Sequence, residues 1–311
     1  MTFDLSIRDA WVVDGSGQPA RVSDVHIEGG RIARLGPGPS GKREIVAAGR
    51  ALAPGFVDVH AHDDAALLSS PDMHFKLLQG VTSVVIGNCG FSLAPLAPGG
   101  AEPPGNASLF PGFSGRFAEL EDYAQAFASA RPALNAVSLV GHNAIRSRVV
   151  GNDERAATHS EIIAMRGLLQ QALEQGAAGF STGLIYRPGR VASTEEIIEI
   201  ARPLASFGAL YATHMRSEGD RLLESVEETL SVARAVGCRA QISHHKAGGR
   251  RNWGKVRTSL ARVDAANAEG ADVTLDAYPY IAGSGPMIEY FDLAKVDLVL
   301  AEAIQIASCP G

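Results

Sequence analysis

Two histidines separated by a single residue, His60 and His62, close the run Val57-Asp58-Val59-His60-Ala61-His62. Alternate residues of a strand face the same side, so imidazoles at this spacing are suited to gripping one cation. Short histidine patterns also arise by chance, and the pair alone carries little weight. Recurrence gives it weight. Cys89 follows Val84-Val85-Ile86-Gly87-Asn88, His214 follows Tyr211-Ala212-Thr213, and His244-His245 follow Gln241-Ile242-Ser243. Imidazole nitrogen and thiolate sulfur are zinc donors. A deprotonated Cys89 would add the negative charge that lets one or two divalent ions sit together. A lone cysteine is more often a small buried apolar residue. At the end of a strand, among histidines that end other strands, ligation is the stronger reading of Cys89. Between His244 and His245 the pattern leaves both open. Alternation groups His245 with Gln241 and Ser243 and mildly favours it, but both faces of a barrel strand are buried.

The other histidines carry less. His26 belongs to a β-rich N-terminal stretch, and His74 and His159 fall on helix or loop segments, so all three read as surface or structural. His142, just past a third strand, is a candidate pocket residue. Asp276 ends a further strand and suits a general base, an orienter of a ligand, or a structural cap.

Donors this far apart in sequence converge only if the fold gathers strand ends. From Ala53 onward the chain alternates strand and helix, with strands expected at 55–60, 82–87, 136–140, 178–182, 209–214, 240–244 and 273–276. Helices are expected between them, for example over 160–175 and 221–236, with apolar residues three and four apart. Gly176, Gly237 and Gly270 stand where helices end. This pattern is α/β and predicts a (β/α)8 TIM barrel rather than an open doubly wound sheet, with the site at the C-terminal ends of the strands. Only seven strands can be counted before the apolar run 293–307, and a barrel must close. The expectation is therefore an incomplete barrel. The rival nucleotide folds gain little: GxxxxGK[ST] is absent, and the GxGxxG at 36–41 contains two prolines and opens no helix. Residues 1–52 are rich in short β-prone runs, with Gly29-Gly30 placed for a hairpin turn and 36–41 as an exit loop. They predict a small antiparallel unit, with the barrel over 53–311.

Composition narrows the class. The 311 residues are 46% hydrophobic and 20% charged, which excludes a disordered or fibrous chain. A net charge of −6 without a dense basic cluster argues against nucleic acid as partner. Apolar runs such as Val81–Ile86 are too short to cross a bilayer, and no charge-led signal peptide opens the chain. Three cysteines, Cys89, Cys238 and Cys309, make no disulfide framework and point to a reducing cytoplasm.

The segments Ala53-Pro54-Gly55-Phe56-Val57-Asp58-Val59-His60-Ala61-His62-Asp63-Asp64, Gly87-Asn88-Cys89-Gly90, Gly179-Phe180-Ser181-Thr182-Gly183-Leu184-Ile185-Tyr186, Thr213-His214-Met215-Arg216-Ser217-Glu218-Gly219, Ser243-His244-His245-Lys246 and Asp276-Ala277-Tyr278-Pro279-Tyr280 resemble, in order, the D-aminoacylase (N-acyl-D-amino-acid deacylase) family of the amidohydrolase superfamily. The resemblance implies a metal-bearing barrel beside a small β-sandwich built from both chain ends, with residues 1–52 as its N-terminal half. It assigns Cys89, His214 and His244 to a tighter zinc site, and His60 and His62, sharing Cys89, to a second and weaker one. On this basis His244 is preferred over His245. Many amidohydrolases bridge two metals with a carbamylated lysine on the fourth strand. That strand here has none, and Cys89 takes the bridging role.

Lys246 matches the family's clamp for the substrate carboxylate, with Tyr278 as its partner. Arg216 and Arg187 are plausible pocket residues but are left outside the set. The family's catalytic aspartate ends an eighth strand downstream of the Pro-Tyr motif, and this sequence stops before it. A C-terminally truncated member is expected, with no catalytic residue assigned and activity in doubt. The implied reaction is zinc-dependent hydrolysis of the linear amide of an N-acyl-D-amino acid to a carboxylate and a D-amino acid. The alternatives are a cyclic-amide hydrolase of the dihydroorotase/hydantoinase type and a non-catalytic metal-binding protein.

Overall fold

A computed structural model describes residues 2–283. The chain divides into two compact units, one ending at Phe56 and the other beginning at Val57.

In the first unit, β1 (Leu5–Val12) pairs antiparallel with β2 (Arg21–Glu28), and β2 antiparallel with β3 (Arg31–Leu35). Gly29 and Gly30 both have positive φ, at 57° and 73°, as a two-residue hairpin of this twist requires. The two runs expected at 5–7 and 11–13 form one strand. Its register shifts between Ile7 and Ala10, where Asp9 turns left-handed at φ 53° and its N–H donates to Asp24 Oδ1 at 3.0 Å. The unit is mixed rather than antiparallel. The loop after β3 carries the chain back so that β4 (Arg43–Val46) and β5 (Ala51–Leu52) both run parallel to β1. Ala10, Val12, Val25 and Ala47 form its small core, while every residue of β3 and β4 is exposed. His26 is structural, as expected: it is buried with Nδ1 2.8 Å from Ser6 Oγ.

The second unit is a single sheet of seven strands in sequence order: β6 (Phe56–Asp58), β7 (Val81–Ile86), β8 (Asn135–Gly141), β9 (Gly179–Gly183), β10 (Leu210–His214), β11 (Arg239–Ile242) and β12 (Val273–Leu275). The pairs from β7 to β12 are parallel. All seven expected strands are present, and no eighth lies among the described residues. The run 293–307 and Cys309 fall outside those residues.

Six helices of eight residues or more alternate with the strands among the described residues: α1 (Leu120–Ala130), α2 (His142–Val149), α3 (His159–Glu174), α4 (Thr194–Ala201), α5 (Leu222–Val236) and α6 (Lys255–Ala268). Thr158 caps α3 by accepting from the Glu161 N–H, with Glu161 reaching back to the Thr158 N–H at 2.7 Å. Gly237 ends α5 in the left-handed region at φ 72°. Leu222, Val226, Leu230 and Ala233 line one face of α5 at the helical period, in one core with Leu169, Ile200, Phe180 and Tyr211. Each such Leu, Val, Ile or Phe side chain, fully buried, contributes about 1.5–3 kcal/mol. No helix among the described residues is long and apolar enough to cross a membrane.

Candidate metal centre

β10 ends on His214 as expected, but three other strands of the second unit, β6, β7 and β11, stop short of the donors they were expected to carry. β6 ends at Asp58 and β11 at Ile242, so His60, His62, His244 and His245 all lie in the turns that follow. Strand parity therefore does not govern them, and the argument for His245 fails for that reason. His244 takes a left-handed backbone at φ 37°, which turns its side chain apart from that of His245. His245 Nε2 is 2.9 Å from Ser259 Oγ on α6, whereas His244 Nε2 is 3.6 Å from Cys89 Sγ.

Cys89 is the meeting point. Its Sγ is 3.2 Å from His60 Nε2, and it belongs to two overlapping donor groups, His60–His62–Cys89 and Cys89–His214–His244. Within each group the ligand atoms lie within 4.8 Å of one another. The turn that presents Cys89 is tightly held. Ser181 Oγ donates to Gly87 O at 2.5 Å and accepts from the Gly90 N–H at 3.0 Å. Cys89 itself is left-handed at φ 54°, and a Cβ on Gly183 would stand 2.0 Å from the Cys89 carbonyl oxygen. Strain of this kind persists only where the surroundings over-determine it.

The residues fit a soft divalent cation. Neither ring nitrogen of the buried His214 has a hydrogen-bond partner, and His62 Nδ1 is likewise buried without one. Such atoms are costly unless something else satisfies them. Burial pushes the Cys89 thiol up, but the charge of His60 and the surrounding imidazoles hold it well below the usual thiol range. Burial likewise opposes charge on His60 and His244, but Cys89 together with Asp276 for the first, and with Glu218 for the second, outweighs it and raises both imidazoles well above their ordinary value. A thiolate among imidazoles is the donor set that zinc prefers.

Two carboxylates hold the donors from behind. Asp276 Oδ1 accepts from the His244 N–H at 2.6 Å and lies 3.5 Å from His60 Nδ1, while Oδ2 accepts from Gln241 Nε2 at 2.9 Å. Of the three roles open to Asp276, its contacts match the orienter. Glu218, to which the sequence reading gave no role, lies on the turn after β10. Its Oε1 accepts from His244 Nδ1 at 2.7 Å and from Lys246 Nζ at 2.5 Å. Burial pushes its carboxyl up, but His244, His214 and Lys246 together bring it down to about 2. Its spacing of four residues from His214 was the available signal.

The donors open into a cavity of about 230 Å³, also lined by Lys246, Tyr186 and Tyr278. That is room for about eight waters at ~30 Å³ each. The Lys246 ammonium stands 5.5 Å from the Tyr278 ring centre, and the Tyr186 ring packs edge-on against His214 at 4.7 Å. Tyr186 is a second cavity residue to which the sequence reading gave no role. His142 does not line this cavity. It is fully buried, with Nε2 3.3 Å from Glu196 Oε1, beside the equally buried Arg146. Arg216 faces away as a strap, bound to Glu228 and to the carbonyls of Arg190 and Ala192. Cys238 is half-buried, and burial pushes its thiol up to about 11.

The sequence model of the amidohydrolase family matches residues 43–307. The chain belongs to this family. Among curated amidohydrolases, D-aminoacylase of Alcaligenes xylosoxydans xylosoxydans is 46% identical over 285 residues, covering 91% of this chain and 58% of that protein. N-acyl-D-glutamate deacylase of the same organism is 44% identical over 92% of this chain and 59% of its own length. The chain thus spans about three-fifths of the length of these relatives. Among solved structures, N-acyl-D-glutamate deacylase from Bordetella bronchiseptica, complexed with zinc and a phosphonate mimic of the tetrahedral intermediate, superposes with a TM-score of 0.87 at 41% identity. It covers 90% of this chain and 59% of that one. A D-aminoacylase studied for the role of its binuclear metal centre gives the same TM-score at 46% identity, over 91% of this chain and 60% of that one. L-hydantoinase from Arthrobacter aurescens, with a TM-score of 0.56 and 15% identity over 89% of this chain and 59% of that one, shares the fold alone. The family reading of the motifs and the partial barrel are thereby borne out.

Proposed function

We propose that this chain carries the metal-binding portion of a zinc-dependent deacylase that hydrolyses the linear amide of N-acyl-D-amino acids. The observation that carries the reading is Cys89 Sγ in contact with His60 Nε2 at 3.2 Å on one side and His244 Nε2 at 3.6 Å on the other. A thiolate so placed would serve both donor groups, the part that a carbamylated lysine takes in other amidohydrolases, and β9 (Gly179–Gly183) holds no lysine. Cys89, His214 and His244 are assigned to one tight zinc site, and His60 and His62, sharing Cys89, to a weaker second. Residues 1–52 are assigned to one half of a β-sandwich and 53–311 to the barrel. A working thiolate ligand also favours a reducing, cytoplasmic setting.

When bound, zinc supplies polarisation of the scissile carbonyl and a lowered pKa for the attacking water. The amide C–N bond breaks, a C–O bond forms from water, and the amine leaves with a proton. Lys246 and Tyr278 are assigned to the substrate α-carboxylate. Lys246 Nζ now rests on Glu218 Oε1 and the His244 carbonyl, so substrate binding exchanges one carboxylate partner for another. Glu218 and Asp276 already hold ligand imidazoles, and neither is assigned the proton transfer.

The test combines metal and substrate. Elemental analysis of the purified chain is expected to find zinc, and Cys89→Ala to lose it; unchanged zinc in the variant would refute the ligand set. Any turnover found on incubation with N-acetyl-D-amino acids, their L-enantiomers and a hydantoin is expected with the D-enantiomers alone. Opening of the hydantoin instead would overturn the substrate class.

A further inference from the structure

Glu218 stands where three requirements meet. His244 offers Nε2 to the donor cluster, which leaves its lone pair available only if the proton sits on Nδ1. Glu218 Oε1 lies 2.7 Å from that Nδ1. Its carbonyl oxygen accepts from the Gly248 N–H at 2.7 Å, tying the turn after β10 to the turn after β11. Its carboxylate also holds Lys246 at 2.5 Å, so that the Lys246 ammonium stands 3.0 Å from the same Nδ1, and Oε2 is 3.9 Å from His214 Nε2. Asp276 holds the same ligand only by its backbone N–H. Among the described residues, Glu218 is thus the carboxylate that fixes the His244 ring itself.

We propose that Glu218 is a positioning residue of the metal centre, fixing the tautomer and orientation of His244 so that Nε2 faces the cation. The proposal rests on the metal-centre reading above and adds the residue that sets one ligand's geometry. Removing a carboxylate behind a ligating imidazole lowers metal affinity by about 10- to 100-fold.

The test uses the full chain and zinc itself, titrated against a chromogenic chelator. Glu218→Ala is expected to lose about 10- to 100-fold in zinc affinity, while Lys246→Met stays within about threefold of the parent. Because E218A leaves a half-buried ammonium without its carboxylate, the double variant E218A/K246M is the safer fold, and it must show the same loss. Nitrogen-15 NMR of the zinc-loaded chain supplies the second readout. A histidine Nδ1–H protected from exchange is expected in the parent and K246M and absent from E218A/K246M. Parental affinity in the double variant would overturn the proposal alone, as would an equal loss in K246M. Failure of the parent to bind zinc would overturn the metal reading, and the proposal with it.

Discussion

His60 Nδ1 and Asp276 Oδ1 lie 3.5 Å apart, although the first follows β6 and the second follows β12, the two ends of the seven-stranded sheet. The sheet is therefore curled far enough for its outermost strands to share one site at their C-terminal ends. The donor cluster is the product of that curvature, since parallel strands in a flat sheet of this order would hold His60 and His244 many ångströms apart.

Asp276→Asn keeps the shape of the side chain and removes its charge. The asparagine oxygen can still accept from the His244 N–H, but the charge facing His60 is lost and the new amide N–H group is set against Gln241 Nε2, which is expected to cost about 1–3 kcal/mol of stability and to weaken a second equivalent of zinc more than the first. Thermal melts with zinc titration check both.

Two glycine-to-alanine changes have opposite signs. Gly167 lies exposed within α3 with nothing within 4 Å of an added Cβ, so Gly167→Ala is expected to stabilise by about 0.5–1 kcal/mol. At Gly183 the added carbon meets the Cys89 carbonyl at 2.0 Å, and backbone cannot swing aside. Gly183→Ala is expected to cost about 1–3 kcal/mol or more and to release zinc. Denaturation midpoints and elemental analysis would separate the two.

The buried trio His142, Arg146 and Glu196 sets a pH dependence. Burial pushes the Glu196 carboxyl up, but His142 and Arg146 hold it below its ordinary value, while burial pushes His142 down. Both depressions act in the same direction. The unfolded chain binds protons first, so stability falls with pH below about 6.5 through His142 and again below about 4.3 through Glu196. Glu196→Gln leaves Arg146 unpaired and is expected to cost about 3–5 kcal/mol at pH 7. Its gap from the parent narrows below about pH 4.3, which urea unfolding across pH 4–8 measures.

Zinc removal is expected to lower the melting temperature reversibly. A ligand present at 1,000 times its Kd adds about 4 kcal/mol, so chelation and zinc re-addition in a thermal scan should move the transition down and back. No shift in either direction would count against a site in the folded chain.

Much of this was legible in the residues. The alternation of apolar runs with helical periods located all seven strands, because short apolar runs bounded by turn residues read as strands between longer helical stretches. Gly237 marked a helix end by its need for positive φ. The donors were legible by type, but the period of two that paired His60 with His62 does not act there, because the strand has already ended at Asp58. The same early ending defeated the parity argument for His245. Glu218 carried only its spacing of four residues from His214, and an acidic residue in a polar turn reads as solvated until its neighbours are known. The parallel return of β4 was hidden because pairing direction depends on the path of a loop, and loop residues carry little record of it.

Of the five non-glycine residues with positive φ among those described, Cys89 and His244 are two. The turns that carry them are held by protein contacts, Ser181 and Gly183 at Cys89 and Asp276 at His244. Because the backbone at each of these donors is fixed by the protein, the outline of the centre should stay the same when one divalent metal is exchanged for another.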